Sequence, residues 1–416
     1  MSGQTRTGFV DRARAAGLMA AAGADALLLA SPESFAYATG APAGVAANWR
    51  RLGPAIAVLP ADPAKPVGAV AADLFAAAAS ACEPLRSVPI WVEASDIRRF
   101  LPSEEPAGAL IARADAPRGA GFRRPATFDR SEALLGLREV VEAMGLSRAR
   151  IAVELRAVPA ADAPALAAAL PEAVLTDGSA LLERLRAVKT AGEIALLREA
   201  GAITEAALSA LVAEIRAGAT REGLGRRFLA LVAEARASAP LSAWEYLGFG
   251  PSPWAVRDPL RPGDVVKADV GAVVGGYTAD LARSFTLGPA PRLARELHAA
   301  LLCGFRAGRR LFRPGARLSD IHRSVLAAVR EAGFPSYARG HFGHGLGASI
   351  WSEEWPYIAA DSEAVLEPGM VLAFETPWYV DGIGGLIIED MLLVTEDGAE
   401  TLAGAALPHD LVELPA

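Results

Sequence analysis

The chain has 416 residues, 52% hydrophobic and 21% charged, with a formal net charge of −7. That length and apolar content describe a soluble globular protein able to bury two separate cores. The acidic balance and the lack of a basic run argue against nucleic acid as a partner. No stretch approaches the roughly 20 apolar residues of a membrane span, and "MSGQTRTGFVDRARAAGLMA" lacks the long apolar core of a signal peptide. The two cysteines, Cys82 and Cys303, lie far apart, which fits a reduced cytoplasmic setting.

Taken in order, residues 1–175 alternate strand-like runs ("ADALLLAS", "GPAIAVLP", "VPIWVEA", "RIAVEL") with helical patterns such as "SEALLGLREVVEAMGL". Such alternation predicts an α/β domain. Its acids and arginines read as solvated faces, and Leu101 to Asp129 as a loop excursion. Residues 176–416 form a second predicted domain. Apolar positions at three-to-four spacing predict two helices ending at Gly218 and a third from Thr220. Strands are expected from Leu241, helices over 291–312 and 318–333, and strands again at the end.

Within the second domain, "KADVGAVVGGYTADLARSF" places Asp269 and Asp280 in an otherwise apolar, glycine-punctuated stretch. A turn centred between Val274 and Gly275 would set the two acids directly opposite one another. Opposed side chains lie about 4.5–5.5 Å apart at Cβ, where like charges destabilise. "VLAFETPWYVDGIGGLIIEDMLLV" repeats the pattern: pairing about Gly382 sets Glu375 opposite Glu389, with Ile387 and Met391 sharing the Glu389 face. Two facing carboxylate pairs in apolar strands need a shared cation or raised pKa values, and a metal is the simpler answer. Of the five histidines, His298 and His322 sit in Arg-rich helical patterns and are expected at the surface, while His409 lies near the end. His341 and His344, in "ARGHFGHGLGASIWSEEWP", are flanked by glycines that bring imidazole and backbone close together. Beside four carboxylates that need a cation, His344 reads as a ligand.

In their order, Asp269, Asp280, His344, Glu375 and Glu389 resemble the metal ligands of the aminopeptidase P, prolidase and creatinase superfamily. The contexts "DVG", "GYTADLARSF", "GHGLG", "LEPGMV" and "IIED" agree, as do "LERLRAVKTAGEIALLREA" and "SPESFAYATG" upstream. The resemblance implies a creatinase-like N-terminal α/β domain followed by a pita-bread catalytic domain with a curved antiparallel sheet. It also implies a homodimer and a dinuclear site, with Asp280 and Glu389 bridging two divalent ions, Asp269 completing one and His344 with Glu375 the other. Oxygen-rich ligation with one imidazole suits manganese, iron, cobalt or zinc. A water shared by two dications loses its proton near neutral pH, and the resemblance casts Glu375 as the residue that handles that proton.

Two departures from the family pattern bear on substrate. Its peptidases carry a histidine in the loop before the first aspartate, where this chain reads "GFGPSPWAVRDPLRPGD" with Trp254 near the place. A second histidine follows the ligating one, where Trp351, Ser352 or Glu353 stands here. Other carbonyl-holding donors are then His341, Arg257, Arg339 or Tyr277, and Trp254 and Trp351 would line an aromatic pocket for a compact, partly apolar or cationic ligand. The expected activity is hydrolysis of an amide or related C–N bond in a small molecule. A lyase acting on a small metabolite and a non-catalytic binding protein of the same fold are the alternatives.

Overall fold

The structure, a computed structural model, describes residues 8–49, 51–90, 95–118, 130–254, 258–349 and 353–416. The chain divides into two compact units, Met1–Leu182 and Glu183–Ala416.

In the first unit the elements run α1 (Arg12–Ala22), β1 (Ala26–Leu29), α2 (Pro32–Thr39), β2 (Ala55–Pro60), β3 (Gly68–Ala72), β4 (Leu85–Val88), α3 (Ala107–Asp115), α4 (Ser131–Ala143), β5 (Arg150–Val153), α5 (Ala163–Ala169) and β6 (Val174–Asp177). They form a six-stranded sheet in the order β4-β3-β2-β1-β5-β6, parallel at β1–β5, β3–β4 and β5–β6 and antiparallel at β1–β2 and β2–β3. The apolar strands Ala26–Leu29 and Ala55–Pro60 are buried throughout, as a sheet covered on both faces requires. Because β6 closes this sheet, the boundary falls inside α6 (Ser179–Ala187) rather than at residue 175.

Several expectations for this half are corrected. Leu101 to Asp129 is not all loop, since Ala107–Asp115 is helical, and residues 119–129 lie outside the described ones. Of the strand expected in "VPIWVEA", Val88 ends β4 (Leu85–Val88), and residues 91–94 lie outside the described ones. Not all acids here are solvated. Glu154 accepts from the Ala30 and Ser31 amides and the Ser34 hydroxyl, and Asp162 accepts from the Leu52 amide, satisfying buried donors that water cannot reach.

The second unit opens with α7 (Ala191–Val212) and α8 (Arg221–Ala233), each begun by a threonine whose hydroxyl accepts from a first-turn amide. Then follow β7 (Leu241–Glu245), β8 (Gly248–Phe249), β9 (Val265–Val274), β10 (Tyr277–Thr278), β11 (Leu281–Leu287), α9 (Arg292–Arg309), α10 (Leu318–Glu331), β12 (His341–Gly345), β13 (Glu354–Ala359), β14 (Val371–Glu375), β15 (Trp378–Val380), β16 (Gly384–Leu386), β17 (Glu389–Val394), β18 (Ala399–Ala403) and β19 (Val412–Leu414). One curled sheet has the path β10-β9-β11-β17-β14-β12-β13 with antiparallel neighbours, and α9 and α10 pack beside it over a core that includes Phe305, Phe312, Phe342 and Phe374.

Register explains where the acids fall. Gly275 and Gly276, at φ 60° and 89°, form the two-residue turn between β9 and β10, as a primed hairpin turn requires. The turn centre is therefore one residue later than expected, and Asp269 pairs with Ala282, not Asp280. The slip moves the partner by two positions, so Asp280 keeps the same face and lies diagonal to Asp269. Glu375 and Glu389 do pair directly. Since Ala282 also pairs with Glu389, one row crosses four strands: Asp269, Ala282, Glu389, Glu375.

A buried ion pair clamps this row from behind. Arg283, 2% exposed, donates to Asp390 Oδ1 at 2.7 Å and to the Glu389 and Gly404 carbonyls, tying β11 to β17. Burial alone would raise the Asp390 carboxyl, but His409 and Arg283 outweigh it and hold it below the usual range. His298 and His322, expected at the surface, are buried at 3% and 4%. Their helices turn those rings inward with the apolar stripe; His322 meets the Arg339 carbonyl at 3.1 Å, and burial lowers His298 to about 4. Replacing Asp390 by Ala leaves the Arg283 charge buried without its partner. The expected loss is about 3–5 kcal/mol of unfolding free energy, read by urea denaturation, whereas a loss near zero would mean the clamp is dispensable.

Candidate metal centre

The row described above floors a cleft of about 240 Å³ lined by Asp269, Asp280, His344, Glu375 and Glu389 together with Trp244, Tyr246, Thr278, Arg339, Leu346, Glu353 and Tyr379. Ala282 contributes only a methyl between Asp269 and Glu389, which leaves space above the middle of the row. From β12, His344 reaches the same face, because it pairs with Ala373, two residues before Glu375.

One donor atom each from Asp280, His344 and Glu389 lies within 4.8 Å of the others. The His344 Nδ1–H donates to the Gly345 carbonyl at 3.1 Å, since a carbonyl can only accept. In the neutral ring this puts the lone pair on Nε2, 3.8 Å from Asp280 Oδ2. Among the described residues, the buried Asp280 Oδ1 has no hydrogen-bond partner. A neutral imidazole of fixed tautomer among carboxylate oxygens is a donor set that suits a divalent cation.

Burial raises the Asp280 carboxyl well above its usual range, and Asp269 and Glu375 add to the rise. The same holds for Glu389, through burial and then Asp280 and Asp269. Asp269 is also raised by burial, although Lys267, donating to its Oδ2 at 2.8 Å, opposes the rise. Glu375 Oε1 accepts from Arg339 Nη2 at 3.0 Å.

The sequence-derived candidates divide. Arg339 and Glu353 line the cleft, and His341 stands behind it with Nδ1 3.6 Å from Glu375 and Nε2 3.6 Å from Glu353. Tyr277 does not reach the site. Alternation along β10 sends its ring to the other face, where its hydroxyl donates to Glu193 at 3.0 Å, while Thr278 faces the cleft. Trp254 is 75% exposed, outside the cleft lining, with its ring 4.9 Å from Tyr379. Among the described residues the aromatic lining is Trp244, Tyr246 and Tyr379. Arg257, Trp351 and Ser352 lie outside the described residues. Sequence reasoning missed Lys267 and Tyr379, though strand alternation from Asp269 puts the former on the cleft face.

These pKa directions have a consequence for stability. An acid raised in the folded state opposes folding once ionised, so the metal-free chain should lose stability as pH climbs from about 4 through the raised values. A divalent ion binds the ionised carboxylates and removes that penalty. The gain in Tm on adding manganese is therefore expected to be larger at about pH 8 than at about pH 5.5. Thermal unfolding with metal and with chelator checks this; a gain independent of pH, or none, would contradict it.

Comparison with known proteins matches residues 12–188 to the Creatinase/Prolidase N-terminal domain and residues 195–396 to Metallopeptidase family M24. A probable dipeptidase PepE of Mycobacterium tuberculosis is 32% identical over 243 residues, covering 56% of this chain and 63% of that protein. An Xaa-Pro dipeptidase of Pyrococcus furiosus is 29% identical over 226 residues, covering 53% and 64%. The chain thus spans less than two thirds of the length of these curated relatives. Among solved structures, dipeptidase PepE from Mycobacterium ulcerans has a TM-score of 0.71 at 25% identity, covering 97% of both chains. An Xaa-Pro dipeptidase from Bacillus anthracis has 0.73 at 23%, covering 97% and 99%, and speaks to fold alone. With both domain descriptions matched and the five ligand-type residues around one cleft, the chain belongs to the aminopeptidase P, prolidase and creatinase superfamily.

Proposed function

We propose that this chain is a metal-dependent hydrolase that cleaves an amide or related C–N bond in a compact small molecule. The observation that carries the reading is the cluster of Asp280, His344 and Glu389 around a buried carboxylate oxygen, without a hydrogen-bond partner among the described residues, at the floor of a small cleft. These three residues would hold a divalent ion, with Asp269 and Glu375 flanking it and Asp280 and Glu389 shared at full occupancy by two ions. Manganese, iron, cobalt and zinc all suit the donors. When bound, the ion supplies positive charge that polarises a carbonyl and makes water a stronger acid.

The chain's own residues handle the rest. Glu375 faces the cleft with one oxygen held by Arg339, so its other oxygen is free to move a proton between water and the leaving nitrogen. Arg339, with donors left over, and Tyr379 are placed to hold an oxygen of the substrate. Trp244, Tyr246 and Leu346 provide the apolar walls that orient its body. Among the described lining residues His344 is the sole histidine, and it belongs to the cation cluster. The carbonyl-holding histidines of the family's peptidases have no counterpart among them, which favours a non-peptide amide over an Xaa-Pro dipeptide. A cytoplasmic homodimer acting without nucleic acid or membrane completes the proposal.

The test assays metal-loaded protein against Xaa-Pro dipeptides and a panel of non-peptide amides. The expected result is turnover of an amide, abolished by chelator and restored by metal, with dipeptides slower by ~10²–10³. Glu375→Gln should lower kcat by ~10²–10⁴ in protein that elemental analysis shows to retain its metal. Dipeptide turnover at ~1–10³ per second would overturn the substrate assignment, and no metal-dependent turnover across the panel would overturn the hydrolase.

A further inference from the structure

Lys267 is the feature of this cleft that no part of the hydrolase reading uses. It lies two residues before Asp269 on β9, so strand alternation brings its side chain to the metal face, where Nζ donates to Asp269 Oδ2 at 2.8 Å. Both side chains are largely enclosed, at 14% and 17% exposed. On the other flank, Arg339 holds Glu375 at 3.0 Å. Among the described residues, no side-chain cation pairs with Asp280 or Glu389, which converge with His344 within 4.8 Å.

Charge balance then distinguishes the two metal positions. Lys267 already neutralises Asp269 and Arg339 holds Glu375, so the uncompensated acids gather at the Asp280–Glu389 position, and a second ion beside Asp269 would meet the lysine's positive charge in a poorly solvated place. We propose that Lys267 is a resident cation for Asp269 that makes the metal positions unequal. The first ion binds at Asp280, His344 and Glu389, and a second enters only by displacing the lysine ammonium. This inference rests on the metal reading of the same site. A long flexible stem lets a lysine vacate such a position. The Tyr379 ring, whose centroid is 6.0 Å from Nζ, offers the displaced ammonium a second resting place.

The test titrates the full metal-free chain with manganese by calorimetry and counts retained ions by elemental analysis, for wild type, Lys267→Met and Lys267→Arg. The wild type should hold one ion tightly and a second more weakly by ~10²-fold or more. Lys267→Met should bind two ions with affinities within about tenfold of one another, and Lys267→Arg, which keeps the charge, should retain the wild-type pattern. If Lys267→Met does not fold, Lys267→Gln replaces it, and the wild-type isotherm still discriminates. Two equal sites in the wild type, or an unchanged isotherm in the neutral variants, would overturn the role of Lys267. Absence of any binding in the wild type would overturn the metal reading itself, a different outcome from either.

Discussion

Repulsion among buried carboxylates is the constraint around which the second unit is built. Asp269, Glu389 and Glu375 occupy one row across the curled sheet, with Asp280 diagonal to its end, in strands whose other residues are almost wholly apolar. Each acid gives up hydration on folding, and each raises its neighbours' cost of ionisation. The surrounding structure answers in two ways. Lys267 and Arg339 neutralise the ends of the row, while the middle is left to whatever cation fits between Asp280, His344 and Glu389.

Holding such a row in place demands stiffness behind it. Arg283 and Asp390 supply it through a buried pair that also takes up several loop carbonyls, so strands β11 and β17 cannot slide past one another without stranding a charge. Ala282, too small to fill the gap between Asp269 and Glu389, is as much a part of the site's shape as the acids. Gly343, at φ 132°, has no room for a Cβ, which would meet the Ala373 carbonyl at 2.0 Å. That tight approach of β12 to β14 is what brings His344 into range.

Much of this was legible in the sequence, because strand alternation and turn chemistry fix which side chains share a face. Gly382 lies midway between Glu375 and Glu389, and the pairing read from that symmetry is the pairing found. The first hairpin was displaced, since both Gly275 and Gly276 take the positive φ of the turn; an even slip preserved the face but not the direct opposition. The arginines around His298 and His322 suggest a solvated face, whereas the apolar stripe of each helix carries the rings inward. Lys267 went unread for a simple reason: a lysine beside an acid looks like solvated charge until the sheet on both sides of the strand is known. The substrate wall was less accessible still. Trp244 and Tyr246 stand two residues apart at the end of β7, but Tyr379 comes from β15, so no local pattern joins it to them.

The wall also separates ancestry from substrate. Membership of the superfamily follows from domains and ligand order, whereas the proposed specificity rests on the residues that rim the row, among the described ones Trp244, Tyr246, Tyr379, Arg339 and Glu353. An aromatic–guanidinium rim favours compact ligands that can stack and accept hydrogen bonds. The central claim, that the buried acids exist to hold a cation, is tested most directly by crystals soaked in zinc or manganese and measured for anomalous scattering. The expected result is a peak in direct ligation distance of Asp280, His344 and Glu389, about 2.0–2.2 Å for a zinc–oxygen contact. An absence of any peak, with those side chains instead hydrogen-bonded to one another through shared protons, would contradict it.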